Sequence, residues 1–124
     1  MGVGFNLIGV SAVQAMLITK SKSVKAAAEA AIKEAGFFIE GEVKESIAGH
    51  RAEPKSVDTG RFLSSPFTEF PKELTAVIST PLEYPIVLEL GGVNRAPRYH
   101  FRNTAKRNET KVKDFIQEKI NDVI

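Results

Sequence analysis

Residues 23–48 read "SVKAAAEAAIKEAGFFIEGEVKESIA", and the reading of this stretch decides the fold. Val24, Ala28, Ile32, Ala35, Ile39, Val43 and Ile47 recur at spacings of three and four, which on a helix places all seven in one stripe. The alanine-rich "AAAEAAIKEA" adds high intrinsic helix propensity, while Gly36 and Gly41 lower it and leave room for another backbone to come close. Glu40, Glu42 and Glu45 fall off the stripe and are expected on a solvated face. The spacing predicts one long helix over about 23–48.

On the N-terminal side, "VGFNLIGV" has the Val, Phe and Ile content of a short strand. "SAVQAMLITK" then reads as a short helix with Ser11 near its N-cap, broken by Ser21-Lys22-Ser23. On the C-terminal side, "AGHRAEPKSVDTG" reads as a loop, because glycine, proline and polar residues break the period. Two extended runs follow, "RFLSSPFTEF" and "LTAVIST", with Pro66 marking an edge or bulge position in the first. Pro71-Lys72-Glu73 turns one into the other, giving a β-hairpin. "PLEYPIVLELGG" is expected to be a short helix, with Pro85 in its first turn and Gly91-Gly92 as its stop. Phe101, Ala105, Val112, Phe115, Ile116, Lys119, Ile120 and Val123 trace a second stripe, with Lys119 its one polar member. The resulting fold class is α+β: a small antiparallel sheet, made of the hairpin plus an edge strand, packed against a long N-terminal helix and a C-terminal helix.

A length of 124 residues suits one domain over 1–124, and 43% hydrophobic with 26% charged residues is the balance of a chain that folds. Without cysteine there is no disulfide, no thiol nucleophile and no cysteine-bound zinc. The apolar run near the start has no basic residue before it and falls short of a spanning length, so neither signal peptide nor membrane span is read. The net charge is only +2, but Arg95, Arg98, Arg102, Lys106 and Arg107 fall together with no acid among them. Such a cluster suits nucleic acid, or an acidic surface on a protein neighbour, or simply solvent.

Asp58-Thr59-Gly60 is the triplet of an aspartic-protease half-site. In a retroviral-type protease two such loops meet at a dimer interface and share a proton between their carboxylates. Here the polar "EPKS" precedes the triplet and Arg61 follows it, and a long alanine-rich helix has no place in that all-β fold. Asp-Thr-Gly is also an ordinary turn, since Asp accepts backbone hydrogen bonds and Gly supplies positive φ. His50 and His100 lie in different segments and are expected at the surface, and no Walker loop, His-x-x-x-His or Gly-x-Ser-x-Gly is present. No catalytic residue, cofactor site or metal site is read, and no enzyme is expected.

The order of the long helix, "VDTGRFLSS", "TAVIST", "EYPIVLELGG" and "APRYHFRNTA" resembles the gene-product-ten-like tail-completion or neck protein family of long-tailed double-stranded DNA viruses. The likeness covers roughly residues 24 to 124. Val57, Asp58, Thr59, Gly60, Leu63 and Ser65 fit loosely the family's first pattern, V-D-T-G-x-L-x-x-S, with Phe62 at the usual leucine position and Leu63 one residue after it. Tyr84, Leu88, Glu89 and Gly91 fit its second, and Ala96, Pro97, Phe101 and Ala105 its third. Pro85, Gly92 and Thr104 depart from it, standing where a small residue, a threonine and a proline are usual. The resemblance implies a structural virion protein of the head-to-tail connector, made in the host cytoplasm and placed in the neck or tail. It implies a six-fold or twelve-fold homo-oligomeric ring that joins a head-closure or adaptor ring to tail proteins and lines the channel for the genomic DNA, with no membrane partner.

In that reading Asp58, Thr59 and Gly60 form a structural turn. Phe62, Phe67 and Phe70 on the hairpin and Arg95, Arg98, Tyr99, Arg102 and Lys106 before and within the last helix are the expected partner-facing residues. The alternative for the phenylalanines is core packing. The rival function is a nucleic-acid-binding module that sets the 95–107 cluster on phosphates.

Overall fold

A computed structural model describes residues 3–6, 22–57, 60–82, 84–92 and 96–123. Its elements are β1 (Val3–Asn6), α1 (Lys22–Ile47), α2 (Arg61–Ser64), β2 (Phe67–Glu69), β3 (Val77–Thr80), α3 (Tyr84–Leu90) and α4 (His100–Asn121). The expected α+β class, with its long N-terminal and C-terminal helices, is what the chain adopts. The short helix expected over "SAVQAMLITK" lies outside the described residues.

All seven stripe residues of α1 are buried. The helix ends in a Schellman motif: Gly49, at φ 87, sends its N–H to the Ser46 carbonyl, and the His50 N–H reaches back to the Glu45 carbonyl. One flank of α1 packs along α4, whose Phe101, Val112, Ile116 and Ile120 complete the core. The other flank meets the sheet. There Gly36 is needed, because a Cβ at this position would stand 2.9 Å from Thr68 Cγ2 and 3.1 Å from Ala76 Cβ. Thr68 Oγ1 uses the approach to donate to the Gly36 carbonyl at 3.2 Å and to Glu40 Oε1 at 2.9 Å. Gly41 was expected to serve the same purpose and does not, since a Cβ there would meet nothing within 4 Å.

The sheet is antiparallel with order β1-β3-β2, so β3 is central and Ile78 pairs with Phe5 on one side and Thr68 on the other. The first extended run is corrected: residues 61–64 form the one-turn helix α2, and only Phe67–Glu69 is strand. Serines explain the turn, because the Ser64 and Ser65 hydroxyls bond back to the carbonyls of Gly60, Arg61 and Phe62 and compete with a ladder. The second run is strand only from Val77. Leu74 takes φ 55 and gives its N–H to Glu29 Oε1 at 2.7 Å, which ties the hairpin turn to α1.

Candidate functional site

Two regions of the molecule carry more than packing. The first is a polar cluster held between the C-terminal turn of α1, the loop 48–57 and the start of α4. Glu53, its side chain 2% exposed, receives both terminal nitrogens of Arg107 at 3.0 and 3.1 Å. It also accepts from Asn103 Nδ2 at 3.1 Å and the Ser46 hydroxyl at 2.5 Å. Burial alone would raise the Glu53 pKa, but the hydrogen bonds from Arg107, Ser46 and Asn103 outweigh it and hold the carboxyl at about 2.

His100 was expected at the surface and is instead fully buried. Its Nδ1 lies 2.8 Å from Ser46 Oγ and its Nε2 lies 2.7 Å from Ser56 Oγ. Burial is the main cause that pushes its pKa down to about 4, with Glu53 opposing and Arg98 assisting, so the ring is neutral at pH 7. The Glu53 carboxylate fixes the tautomer, and the Ser56 hydroxyl then turns to the ring at 2.7 Å rather than to the Pro54 carbonyl at 3.2 Å. Ser46 must spend its proton on the Glu53 carboxylate, so it accepts from Nδ1–H; Nε2 is then bare and accepts from the Ser56 hydroxyl. Arg98 closes the chain by donating to Ser56 Oγ at 2.7 Å and to the Lys55 carbonyl at 3.1 Å.

The N-terminus of α4 has no side-chain cap of its own, and Tyr99 before it sits at φ 53. Glu89 of α3 caps it from a distance: its carboxylate oxygens accept the N–H groups of Phe101 at 3.0 Å and Arg102 at 2.9 Å. A carboxylate at a helix N-terminus is favoured by the helix dipole. Burial still pushes the Glu89 pKa up, against those two backbone bonds.

A hydroxyl on the Nε2 of a histidine resembles the start of a nucleophile relay. Its chemical power is low, because a base held at about 4 takes a serine proton poorly near neutral pH, and the carboxylate reaches the ring only through Ser46. Every buried side-chain nitrogen and oxygen among the described residues has a hydrogen-bond partner. Among those residues no three His, Cys, Asp or Glu stand together to hold a metal ion. No helix among them is long and apolar enough to cross a membrane.

The second region is aromatic and exposed. Phe37 of α1 is 56% exposed and meets Phe70 edge to face, with ring centroids 5.7 Å apart. Phe67 on β2 is exposed as well, but the strand alternation turns it to the opposite face of the sheet from Thr68, which meets α1. Around the helix from Phe37, a groove of about 240 Å³ opens between α1 and α4, lined by Glu34, Ala35, Phe38, Lys111, Val112 and Phe115. Lys111 Nζ stands 4.8 Å over the Phe38 ring.

The expected partner-facing residues divide. Phe62 is corrected: it is 3% exposed and packs edge to face on His100, because α2 turns it inward. Phe67 and Phe70 are exposed as expected. Arg98 is half-buried, and its Nη1 donates within the chain to the Lys55 carbonyl and Ser56 Oγ. Tyr99 is half-buried with the Arg102 guanidinium 4.4 Å over its ring, and Arg102 and Lys106 are exposed. Arg95, Asp58 and Thr59 lie outside the described residues. Gly60 has the positive φ, 83, expected of the turn and opens α2. The carboxylates expected on a solvated face are engaged, Glu40 with Lys44 and Thr68, Glu42 with Arg51 and Glu45 with His50.

The sequence reading passed over Phe37, Ser46, Glu53 and Ser56. Two of these left a signal. Phe37 lies on the side of the helix away from Ile39, so an aromatic there must be displayed. Ser46 stands seven residues after Ile39, on the apolar stripe itself, which marks a buried polar partner. No family model, curated protein or solved structure matches the chain.

Proposed function

We infer that this chain is a structural assembly subunit, a connector of the head-to-tail neck of a virion that works by self-association into a ring and by docking to neighbouring rings. The observation that carries the reading is the exposed Phe37–Phe70 pair, an aromatic surface that the chain's own core leaves uncovered. The order of the Val57–Ser65, Tyr84–Gly91 and Ala96–Ala105 elements supports the same class. The polar cluster fits it as a staple: it joins α1, the loop and α4, and its serine and histidine are spent on each other.

The nucleic-acid reading is weakened from within. Of the five cations that suggested it, Arg107 holds Glu53 and Arg98 holds the loop, which leaves Arg102 and Lys106 exposed among the described residues. Each cation held inside the chain is one fewer for phosphate contacts, and the fifth, Arg95, lies outside the described residues. Electron microscopy of the purified protein tests the connector reading: ring particles are the expected result. A population of single chains at every concentration, with tight and salt-sensitive DNA binding, would replace it with the rival.

A further inference from the structure

Loop 48–57 crosses the junction of α1 and α4 as a strap. Glu53 is its one buried residue, while residues 49–52, 54 and 55 are exposed. Val57, at its end, packs against the core. Its other holds on the two helices are hydrogen bonds and ion pairs. On the α1 side these are the pairs Arg51–Glu42 and His50–Glu45 and the Ser56 N–H on the Ile47 carbonyl. On the α4 side they are Glu53 with Arg107 and Asn103, Ser56 with His100, and the Lys55 carbonyl with Arg98. The core beneath is apolar, with Ile39, Val43 and Ile47 of α1 and Phe101 of α4 in one cluster, and has no charge to titrate.

His100 sits where the strap lands. Around its ring stand Ser46 of α1, Phe62 of α2, Ser56 of the strap and Arg98 from the segment before α4, with Glu53 beyond the Ser46 hydroxyl. Glu89 of α3 lies near enough for its carboxyl and that of Glu53 to feel each other's charge. In the neutral ring Nε2 accepts the Ser56 proton, and Ser56 Oγ accepts in turn from Arg98 Nη1. An added proton reverses the first bond. Nε2–H must then donate to that oxygen, and the Ser56 hydroxyl turns to the Pro54 carbonyl 3.2 Å away. An imidazolium and a guanidinium now face each other across one oxygen that is 2.7 Å from each. Both atoms that keep Arg98 there, Ser56 Oγ and the Lys55 carbonyl, belong to the strap. Lifting the strap lets Arg98 swing into solvent and wets the ring, whereas leaving it down holds the two cations together.

We propose that segment 48–57 is an acid-released strap, which lifts from α4 when His100 takes a proton while α1, α4 and the sheet stay folded. The proposal is independent of the assembly reading. Burial holds the ring under the closed strap at about 4 against an ordinary 6.5, so each pH unit lost between those values moves the balance about tenfold toward the open strap, roughly 300-fold in all. The Glu53 carboxyl, held at about 2, adds to the shift only below its ordinary 4.5.

The chain has no cysteine, so a pair of nitroxide labels can be placed on introduced ones. Ala52→Cys on the strap and Lys106→Cys on α4 are both at exposed positions. Pulsed electron paramagnetic resonance, with labelled chains diluted in unlabelled ones, reads the distance between them, and circular dichroism at the same pH reads the helices. One narrow distance is expected at pH 7. By pH 4 a longer, broad population should appear with the helix signal unchanged. In His100→Gln, which keeps a donor and an acceptor but takes no proton, that population should appear at least one pH unit lower. The His100 ring proton, followed by NMR in the wild type, should titrate at the midpoint of opening. A distance that holds until the helix signal is lost would mean that loop and core open together, and a broad distance already at pH 7 would mean that the strap is never closed. Opening of His100→Gln at the wild-type pH, or a ring that titrates with the distance unmoved, would show that this proton does not lift it.

Discussion

The C-terminal turn of α1 and its middle face present opposite economies. At Ser46 the helix meets a serine, a histidine, two more polar side chains and a buried carboxylate, the residue types from which active sites are made, and every one is engaged inside the chain. At Phe37, a few turns earlier, the helix displays an apolar ring with no reactive chemistry to solvent. The reactive groups hold the architecture and the inert ones face outward. Residue type therefore does not locate function here; whether a group has a partner inside the chain does.

The largest effect expected is at the cluster. Glu53→Ala removes the acceptor of Arg107, Ser46 and Asn103 at once, and stranding such buried groups costs on the order of 3 kcal/mol. Chemical denaturation should show a large fall in midpoint with little change in slope, and a fall within about 0.5 kcal/mol would break the comparison from the polar side.

Acid should reveal the same region. His100 has a folded pKa of about 4 against an ordinary 6.5, so the folded state binds its proton later than the unfolded chain does. Its contribution is complete above pH 6.5 and is lost as pH falls through 4, up to about 3 kcal/mol. Glu53 continues the loss between pH 4.5 and about 2, while the raised Glu89 pKa runs the other way and softens the slope. Thermal melts of the wild type should decline between pH 6.5 and 4, and His100→Gln should decline less over that window. Parallel curves would mean that the ring is not the titrating group.

A pair of glycine changes separates close approach from mere helix weakness. Gly36→Val drives methyl groups into Thr68 and Ala76 and should cost about 1–3 kcal/mol, whereas Gly41→Ala, with open space around it, should gain about 0.5–1 kcal/mol. Thermal shifts of opposite sign are the expected result. The smallest effect belongs to the outward face: Phe37→Ser should leave the stability of the single chain within about 0.5 kcal/mol, as read by its melting under dissociating conditions.

Much of the fold was legible because it rests on period. The stripe from Val24 to Ile47 fixes the register of α1, and all seven members are buried. The C-terminal stripe was read less well, because Thr104 and Asn108 occupy buried stripe positions while Lys119 and Val123, counted within it, are exposed. Those polar interruptions, with Ser46 on α1, mark where the two helices enclose the cluster rather than where the pattern fails. Phe62 misled because a phenylalanine in an apparent strand gives no clue that serine hydroxyls will coil the chain into α2. For Arg98 the charge is visible in sequence, but its partner within the chain, the Lys55 carbonyl 43 residues away, is not. Glu53, in a loop with no period, had no signal to read.

The most direct test of the account is native mass spectrometry of the wild type beside Phe37→Ser/Phe70→Ser, with melting curves of both. The account predicts a closed oligomer for the wild type and a single chain for the double variant, at melting temperatures that agree once both are compared as single chains. Equal masses for the two proteins would contradict it, because the exposed aromatic pair would then have no part in holding copies together.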